Sequence, residues 1–596
     1  MEKIVNKKEK KHLFRRFIAY YKPHRTLFIE DMLASFAISA IGLIYPIITR
    51  YMIKDYIPNK DFTMIWILAG VVLILYIIRM FLRYFVQFYG HMMGTKMQAS
   101  MRSDMFNHLE KLPFNYYDNH ETGKIMSRMT SDLQDVSELA HHGPENFFIS
   151  GFMIIATFIY LMTLNVWLTL IVFAVVPSVI FVVAGLRKGM SKAFMESRKS
   201  VAMINASLEN SLTGIRVTKA FNNSRKEDEK FEVSNQSFVA AKRKAYKAMG
   251  KFQSSTAFIT DLFNIVVLVA GALLMADGQF SYDVLAAFIV SINMFINPLT
   301  TLINFTEQFE DGITGFKRFV QIMDEKPEED EKGAVGLDSV KGKIEFKDVS
   351  FFYREGKSIL NNINLVIEPG EKLALVGPSG GGKTTICHLI PRFYKCDKGD
   401  ILLDGIKINN IQIQALRQNI GIVQQDVFLF DGTIKENILY GKLNATDEEV
   451  ISAAKKAKLY DYVMTLPEQF MTQVGERGVR LSGGQKQRIS IACIFLKDPK
   501  ILILDEATSA LDNTTELFIQ ESLDELCKGR TTIAVAHRLS TVRNATCIAV
   551  IDQGQITEIG SHQELMKIEG GVYKALYNLQ FRNQGSAESI KLSGMM

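Results

Sequence analysis

Two short stretches in the second half of this 596-residue chain have the composition of anion sites. Gly377 to Thr384, "GPSGGGKT", follows the apolar run "LALV" and precedes a helical one. In the spacing G-x-x-x-x-G-K-T, glycines let backbone amides wrap phosphates, Lys383 offers a mobile charge to the terminal ones, and the Thr384 hydroxyl suits Mg²⁺. Pro378, Ser379, Gly380, Gly381 and Gly382 complete the loop, and Thr385 follows it. The second stretch, "RLSGGQKQR" (Arg480 to Arg488), sets Ser482, Gly483, Gly484 and Gln485 at the head of another helix, where unpaired amides point outward with partial positive charge. Between them in chemistry stands "ILILDEATSALD", a buried apolar strand ending in Asp505 and Glu506. Asp505 would sit at the metal, and Glu506 could polarise an attacking water. Phosphoryl transfer depends mostly on such positioning and charge neutralisation. One nucleotide therefore has two claimants.

The elements that must hold these residues begin at Lys343, where short β-rich runs alternate with helical ones: "KIEFKDVSFFY", "KLALVG", "ILILDEA", "TTIAVAH", "CIAVIDQG". That alternation predicts an α/β nucleotide-binding domain with a mixed sheet. The first half differs. The chain is 48% hydrophobic, and the apolar residues concentrate there in six runs: Met32 to Ile53, Met64 to Leu82, Asn146 to Leu164, Trp167 to Leu186, Leu262 to Ala276 and Val284 to Phe305. Most approach the ~20 residues needed to cross a bilayer, which argues for six transmembrane helices and against buried helices of a large soluble protein. The fifth begins before Asp261, because "FQSSTAFIT" ahead of it is nearly uncharged.

Charge gives the orientation. The formal balance is +6, and Met1 to Arg25 holds nine Lys/Arg against Glu2 and Glu9, which predicts cytoplasmic N- and C-termini around six spans of the cell membrane. The basic excess is then topology and attraction to anionic lipid, with no nucleic acid as partner. Leu13, Phe14, Phe17, Ile18 and Tyr21 recur at helical spacing among basic residues, as in a helix lying on the inner leaflet. No cleavable signal is expected. Cys387, Cys396, Cys493, Cys527 and Cys547 follow no zinc or redox spacing and read as reduced thiols.

The loops are unequal. Asn165 and Val166 alone separate spans three and four, whereas Arg83 to Glu145 and Arg187 to Asp261 are long, charged and helical in character. Each is interrupted once, by "LPFNYYDNHETGK" and by "LTGIRVTKAFNN". Helices of ~25 residues would carry those interruptions roughly 40 Å from the membrane. The expected boundaries are a basic arm with an interfacial helix over 1–25, a transmembrane domain over 26–323, a linker over 324–342, a nucleotide-binding domain over 343–580 and a tail over 581–596. The linker "DEKPEEDEKGAVGLDSVKG" is acidic and broken by Pro327 and several glycines.

"LSGGQ" is the signature of ABC ATPases, and nearly all of Phe14 to Leu579 resembles a half-size type IV ABC exporter, similar to bacterial homodimeric multidrug and lipid exporters. The resemblance implies a six-helix transmembrane domain followed by an α/β P-loop ABC nucleotide-binding domain, with ATP and Mg²⁺ as cofactors. It implies that Tyr353 in "VSFFY" stacks on adenine and that Gln425 in "IVQQDVFLF" meets Mg²⁺ and the coupling helices. Asp512 in "SALD" matches the D-loop aspartate, His537 in "VAHRLS" the switch histidine near the γ-phosphate, and Glu476 in "VGERG" the X-loop contact to the membrane domain. The catalytic set so implied is Glu506, His537 and Gln425, and the metal set is Thr384, Gln425 and Asp505. The two claimants are reconciled in the family, since Ser482 and Gly484 complete the site on the partner's Gly377 to Thr384 loop. A second copy of the chain is thus the expected partner, a related half being the alternative. The interruptions at Phe114 to Asp118 and Gly214 to Ala220 match coupling helices. One departure is Cys493 in "ISIACIFL", where the family commonly has arginine.

The function implied is ATP-driven export of amphipathic or hydrophobic compounds by alternating access, with a peptide or bacteriocin exporter as the alternative. An ATP-gated channel or regulatory subunit is disfavoured by the intact Glu506. On the sixth span Asn293, Asn297, Thr301, Asn304 and Gln308 fall on one helical face, and Pro298 interrupts the backbone donors there. Polar side chains at membrane depth face protein or water, so this stripe is expected either to line the cargo pathway or to bond neighbouring helices.

Overall fold

The structure is a computed structural model and describes residues 7–279, 281–353, 358–505, 513–535 and 542–580. The chain forms two compact units. The first takes the residues up to 110 together with 120–325, and the second takes 111–119 together with 326 onward.

Among the described residues of the first unit, six helices are long and apolar enough to cross a membrane: span 1 (Lys22–Tyr56), span 2 (Phe62–Leu109), span 3 (Thr122–Leu164), span 4 (Val166–Thr213), span 5 (Ser224–Ala276) and span 6 (Tyr282–Met323). Two of them start at side chains that satisfy free amides. Asp61 accepts a hydrogen bond from Met64 N at 3.0 Å to start span 2, and Asn165, the one residue separating spans 3 and 4, accepts from Leu168 N at 2.9 Å. Span 5 is an uninterrupted helix over Ser224–Ala276, so it begins far ahead of its apolar run. Before span 1, the helix Lys7–Ala19 buries Phe17 edge-on against Phe316, with centroids 5.2 Å apart, and leaves Phe14 and Ile18 exposed.

The second unit holds two sheets. Strands β1 (Ile344–Phe352), β2 (Ser358–Ile367), β4 (Lys398–Leu403) and β5 (Ile406–Lys407) make an antiparallel sheet in the order β2-β1-β4-β5. Strands β3 (Lys372–Val376), β6 (Ile420–Val423), β7 (Ile501–Asp505), β8 (Thr531–Val535), β9 (Cys547–Asp552) and β10 (Gln555–Gly560) make the other in the order β10-β9-β3-β8-β7-β6, parallel throughout except for the β10 edge. Parallel strands covered on both faces need continuous apolar sequence, and "ILIL" of β7 and "TTIAV" of β8 are buried throughout.

The core of this unit is split. One cluster joins the antiparallel sheet to β3 and to the helix Lys383–Leu389 through Phe346, Leu360, Leu375 and Ile386. A second gathers Ile434, Val450, Ile489 and Ile494 from three helices against Leu502 and Leu504 of β7. The stretch read as a linker is anchored at several points. Arg417 donates to both Glu328 carboxylate oxygens at 2.9 and 3.1 Å, Ile413 N donates to Asp330 at 2.7 Å, and Val335 bridges to Ile411.

Candidate nucleotide site

Parallel strands end on the same edge of a sheet, and ligands of open α/β sheets collect at that edge where the strand order reverses. Here Leu375 of β3 pairs with Val535 of β8, Val535 pairs with Asp505 of β7, and Leu504 of β7 pairs with Val423 of β6. The chain leaves β3 directly into Gly377, leaves β7 at Asp505, and leaves β6 two residues before Gln425. At strand spacings of about 4.8 Å, the loop and Asp505 stand roughly 10 Å apart across β8. Residues 377–385, 505 and 425 therefore converge from remote parts of the chain. Glu506, Asp512 and His537 lie outside the described residues.

The loop itself is held by its glycines. Gly377 has φ 152°, and a Cβ there would lie 2.0 Å from the carbonyl oxygen of Ile551; Gly382 has φ 106°, and its Cβ would lie 2.6 Å from Leu360 Cδ2. A side chain at 377 would displace the backbone of β9, and one at 382 would be strained by the positive φ and would push the Leu360 side chain aside. Lys383, buried along its stem, donates from Nζ to the carbonyls of Gly377 and Pro378, each at 2.9 Å, which holds the ammonium at the mouth of the loop. Pro378, Ser379, Gly380 and Thr384 are exposed, while Gly381, Gly382 and Thr385 are buried. Thr384 Oγ1, the Asp505 carboxylate and the Gln425 amide oxygen would offer oxygen donors only, the kind that fits a hard cation such as Mg²⁺.

Tyr353 is placed beside the loop, with its hydroxyl 3.3 Å from Thr385 Oγ1 and its ring edge-on to Phe351 and Tyr394 at 4.8 and 5.1 Å. Burial raises its phenol above the ordinary range, so the ring is neutral at working pH. Behind the loop, burial lowers the His388 imidazole and the charge of Asp505 opposes that shift.

Ser482 begins a different element. It caps the helix Gly483–Lys497, its Oγ accepting from Gln485 N at 3.3 Å while Gln485 Oε1 accepts from Ser482 N at 2.8 Å. Ser482 and Gly483 are exposed and Gly484 is buried. The helix packs in the second hydrophobic cluster, apart from the one that carries the phosphate loop. One thread joins the motifs: the buried Gln487 donates to the carbonyl of Gln424 at 3.4 Å, fixing the backbone next to Gln425. Glu476 is exposed in the short 3₁₀ turn Glu476–Gly478 ahead of this helix. Cys493 faces inward, and burial pushes its thiol up to about 11, so it is a packing residue rather than a nucleophile.

The coupling-helix reading of Phe114 to Asp118 did not name the residues on which the segment docks. In the helix Phe114–Asn119, Phe114 stacks on Phe393 with centroids 4.3 Å apart, and Asp118 accepts from the Tyr394 hydroxyl at 2.7 Å. Phe393 is covered on a further side by the Arg417 guanidinium, 5.3 Å from the ring centroid, the same side chain that grips Glu328. The aromatic pair Phe393 and Tyr394 in "RFYKC", half-buried after the phosphate-loop helix, was the available signal, but nothing in sequence names its partner.

Comparison with known proteins fits this geometry. Residues 28–299 match the ABC transporter transmembrane region and residues 360–509 match the ABC transporter nucleotide-binding family described as "ABC transporter". The chain is 42% identical over 570 residues, 96% of its length and 99% of the relative, to the Bacillus subtilis "Uncharacterized ABC transporter ATP-binding protein YwjA". The chain belongs to the half-size ABC exporters. It is also 36% identical over 579 residues, 96% of the chain and 100% of the relative, to the Bacillus subtilis "Putative multidrug export ATP-binding/permease protein YgaD". A solved "bacterial Atm1-family ABC exporter with ATP bound" superposes with a TM-score of 0.78 at 27% identity, covering 94% of this chain and 98% of that one. This ABC exporter is accordingly a multi-pass membrane protein that binds and hydrolyses ATP to drive transport.

Proposed function

We propose that two copies of this exporter export amphipathic, partly apolar compounds across the cell membrane by alternating access, with both termini in the cytoplasm. Each ATP would lie between the Gly377–Thr385 loop of one copy and the Ser482–Gln485 turn of the other. What supports sharing is that one chain has a single loop and a single signature helix, packed in separate clusters of its nucleotide-binding unit. Multidrug export in the name of one relative, and bound ATP in the solved neighbour, agree with this reading. Bound Mg²⁺, held by Thr384, Gln425 and Asp505, would neutralise phosphate charge. Glu506 is the proposed base, His537 and Asp512 its companions, and Tyr353 the adenine platform.

The cargo reading rests on one observation. Along span 6, Asn293, Asn297, Thr301 and Asn304 are exposed and Gln308 is half-buried, whereas Ile292, Phe295, Ile296 and Phe305 are buried against the chain's own helices. The amides are thus mostly not spent on packing within the chain's own helices, which agrees with the pathway reading. At the end of the stripe, Asp135, Glu138, Asn304, Glu307, Gln308 and Asp311 line a cavity of about 310 Å³, whose carboxylates favour cargo carrying positive charge. Pro298 sits within an unbroken helix over Tyr282–Met323.

In lipid vesicles, compounds that stimulate ATP hydrolysis identify cargo. Asn297→Ala is expected to change which compounds stimulate while basal hydrolysis stays within about twofold, because distant sites act nearly independently. An equal fall in basal and stimulated rates for every compound would make the stripe structural. Phe114→Ala removes a ring stack of about 0.5–1.5 kcal/mol from the segment that links spans 2 and 3 in the chain. The expected result is loss of most cargo stimulation with basal hydrolysis retained, read by ATPase assay with and without a stimulating compound.

A further inference from the structure

Away from the nucleotide, three histidines meet within the first unit. His91 of span 2 and the adjacent His141 and His142 of span 3 each offer a ring nitrogen, and these atoms all lie within 4.8 Å of one another. The ring centroids are 4.6 Å apart for His91 and His141, 5.1 Å for His91 and His142, and 4.5 Å for His141 and His142. We propose that His91, His141 and His142 form a binding site for a divalent transition-metal ion of the zinc class, which ties span 2 to span 3.

The local structure is shaped around this point. Nδ1 of His91, Nδ1 of His141 and Oδ1 of Asp31 are buried without a hydrogen-bond partner, although His141 is 3% exposed and Asp31 2%. Buried polar atoms are nearly always satisfied, so three orphans at one place mark a site that a bound cation would complete. Carboxylates ring the histidines: Asp31 lies 3.7 Å from His141 Nδ1, Glu145 lies 3.8 Å from His141 Nε2 and 3.4 Å from His142 Nδ1, and Glu138 lies 3.6 Å from His142 Nε2. They supply a fourth ligand and the acceptors that orient metal-bound imidazoles. Gly90 makes the room, since a Cβ there would stand 2.0 Å from His141 Cε1 and 2.8 Å from Asp31 Oδ1. Wide π-helical turns at Val86–Gly90 and Glu145–Ile149 flank the histidines on both spans, and such turns concentrate at functional sites.

Imidazole with carboxylate selects zinc, cobalt, nickel or copper over magnesium or calcium. Metal–nitrogen bonds of about 2.0 Å place tetrahedral ligand atoms roughly 3.3 Å apart, so the rings close by small rotations of side chains. The ion would rest where the polar parts of spans 1 and 3 meet their apolar runs, since Asp31 immediately precedes Met32 and Glu145 immediately precedes Asn146.

Co²⁺ is the probe. The full chain, purified in detergent through a tag free of histidine and stripped with chelator, is expected to bind one Co²⁺ per chain with the visible ligand-field bands of a four-coordinate site. Excess Zn²⁺ is expected to displace it. His91→Ala is expected to weaken binding at least 10-fold, the scale seen when even an outer partner of a metal site is lost. His142→Cys keeps a ligand, so it is expected to retain Co²⁺ and to add a thiolate charge-transfer band, which no packing role would produce. Absence of saturable binding by the parent, unchanged affinity in His91→Ala, or binding by His142→Cys without that band would each overturn the site. None of these readouts depends on ATP hydrolysis.

Discussion

Glu506→Gln is expected to lower ATP hydrolysis by about 10²- to 10⁴-fold while leaving ATP binding intact, because the amide keeps the shape of the carboxylate and cannot accept a proton from water. The reading rests on position. Asp505 ends β7 at the sheet edge where the phosphate loop and Gln425 also emerge, and Glu506 is the next residue along the chain. A bound nucleotide analogue titrated into both proteins separates the two effects. Retention of more than about a tenth of the parent rate would place the base elsewhere.

Mixing two defective chains is expected to restore hydrolysis that neither has alone. Lys383→Ala removes the ammonium that the Gly377 and Pro378 carbonyls hold at the loop, and Ser482→Arg places a bulky cation at the exposed cap of the signature helix. In a mixed dimer with shared sites, both defects fall in one site and the other is whole. Recovery toward half the parent rate, measured on co-purified chains carrying different tags, supports sharing. If hydrolysis does not return, a cross-chain disulfide engineered between Ser379 and Ser482 separates pairing within a chain from obligatory coupling of the two sites: formation of the covalent dimer keeps sharing, and its absence rejects it.

Several features are legible in the amino-acid sequence because they depend on local chemistry. Glycines at 377 and 382 are required by the backbone path of the loop, and the capping box of Ser482 and Gln485 needs only a three-residue spacing. Apolar length alone marks six spans, since a bilayer demands ~20 apolar residues whatever their partners. For the same reason a turn at Asn165 and Val166 is readable between spans 3 and 4, and the structure narrows it to Asn165, with Val166 already helical. Strand β7 announces itself by four consecutive buried aliphatic residues.

Other features depend on which remote segments meet, and no periodicity encodes that. Phe114 is readable as part of an interruption, yet its stacking on Phe393 joins residues almost three hundred positions apart. The acidic stretch after span 6 reads as a linker by composition, whereas Glu328 and Asp330 are bound by Arg417 and by the backbone of Ile413. His141 and His142 stand out only as neighbours in a helix; His91 joins them because spans 2 and 3 pack side by side and Gly90 lets the rings approach. Likewise the polar stripe of span 6 has a face in the sequence, but its exposure beside buried Phe295 and Ile296 follows from the helices packed behind it. The sequence by itself determined the spans, the strands and the phosphate-binding motifs, because backbone sterics and apolar length act over a few residues or one helix. Only the tertiary structure decided the partners of Phe114, Arg417 and His91, because those contacts form when close packing brings distant residues together.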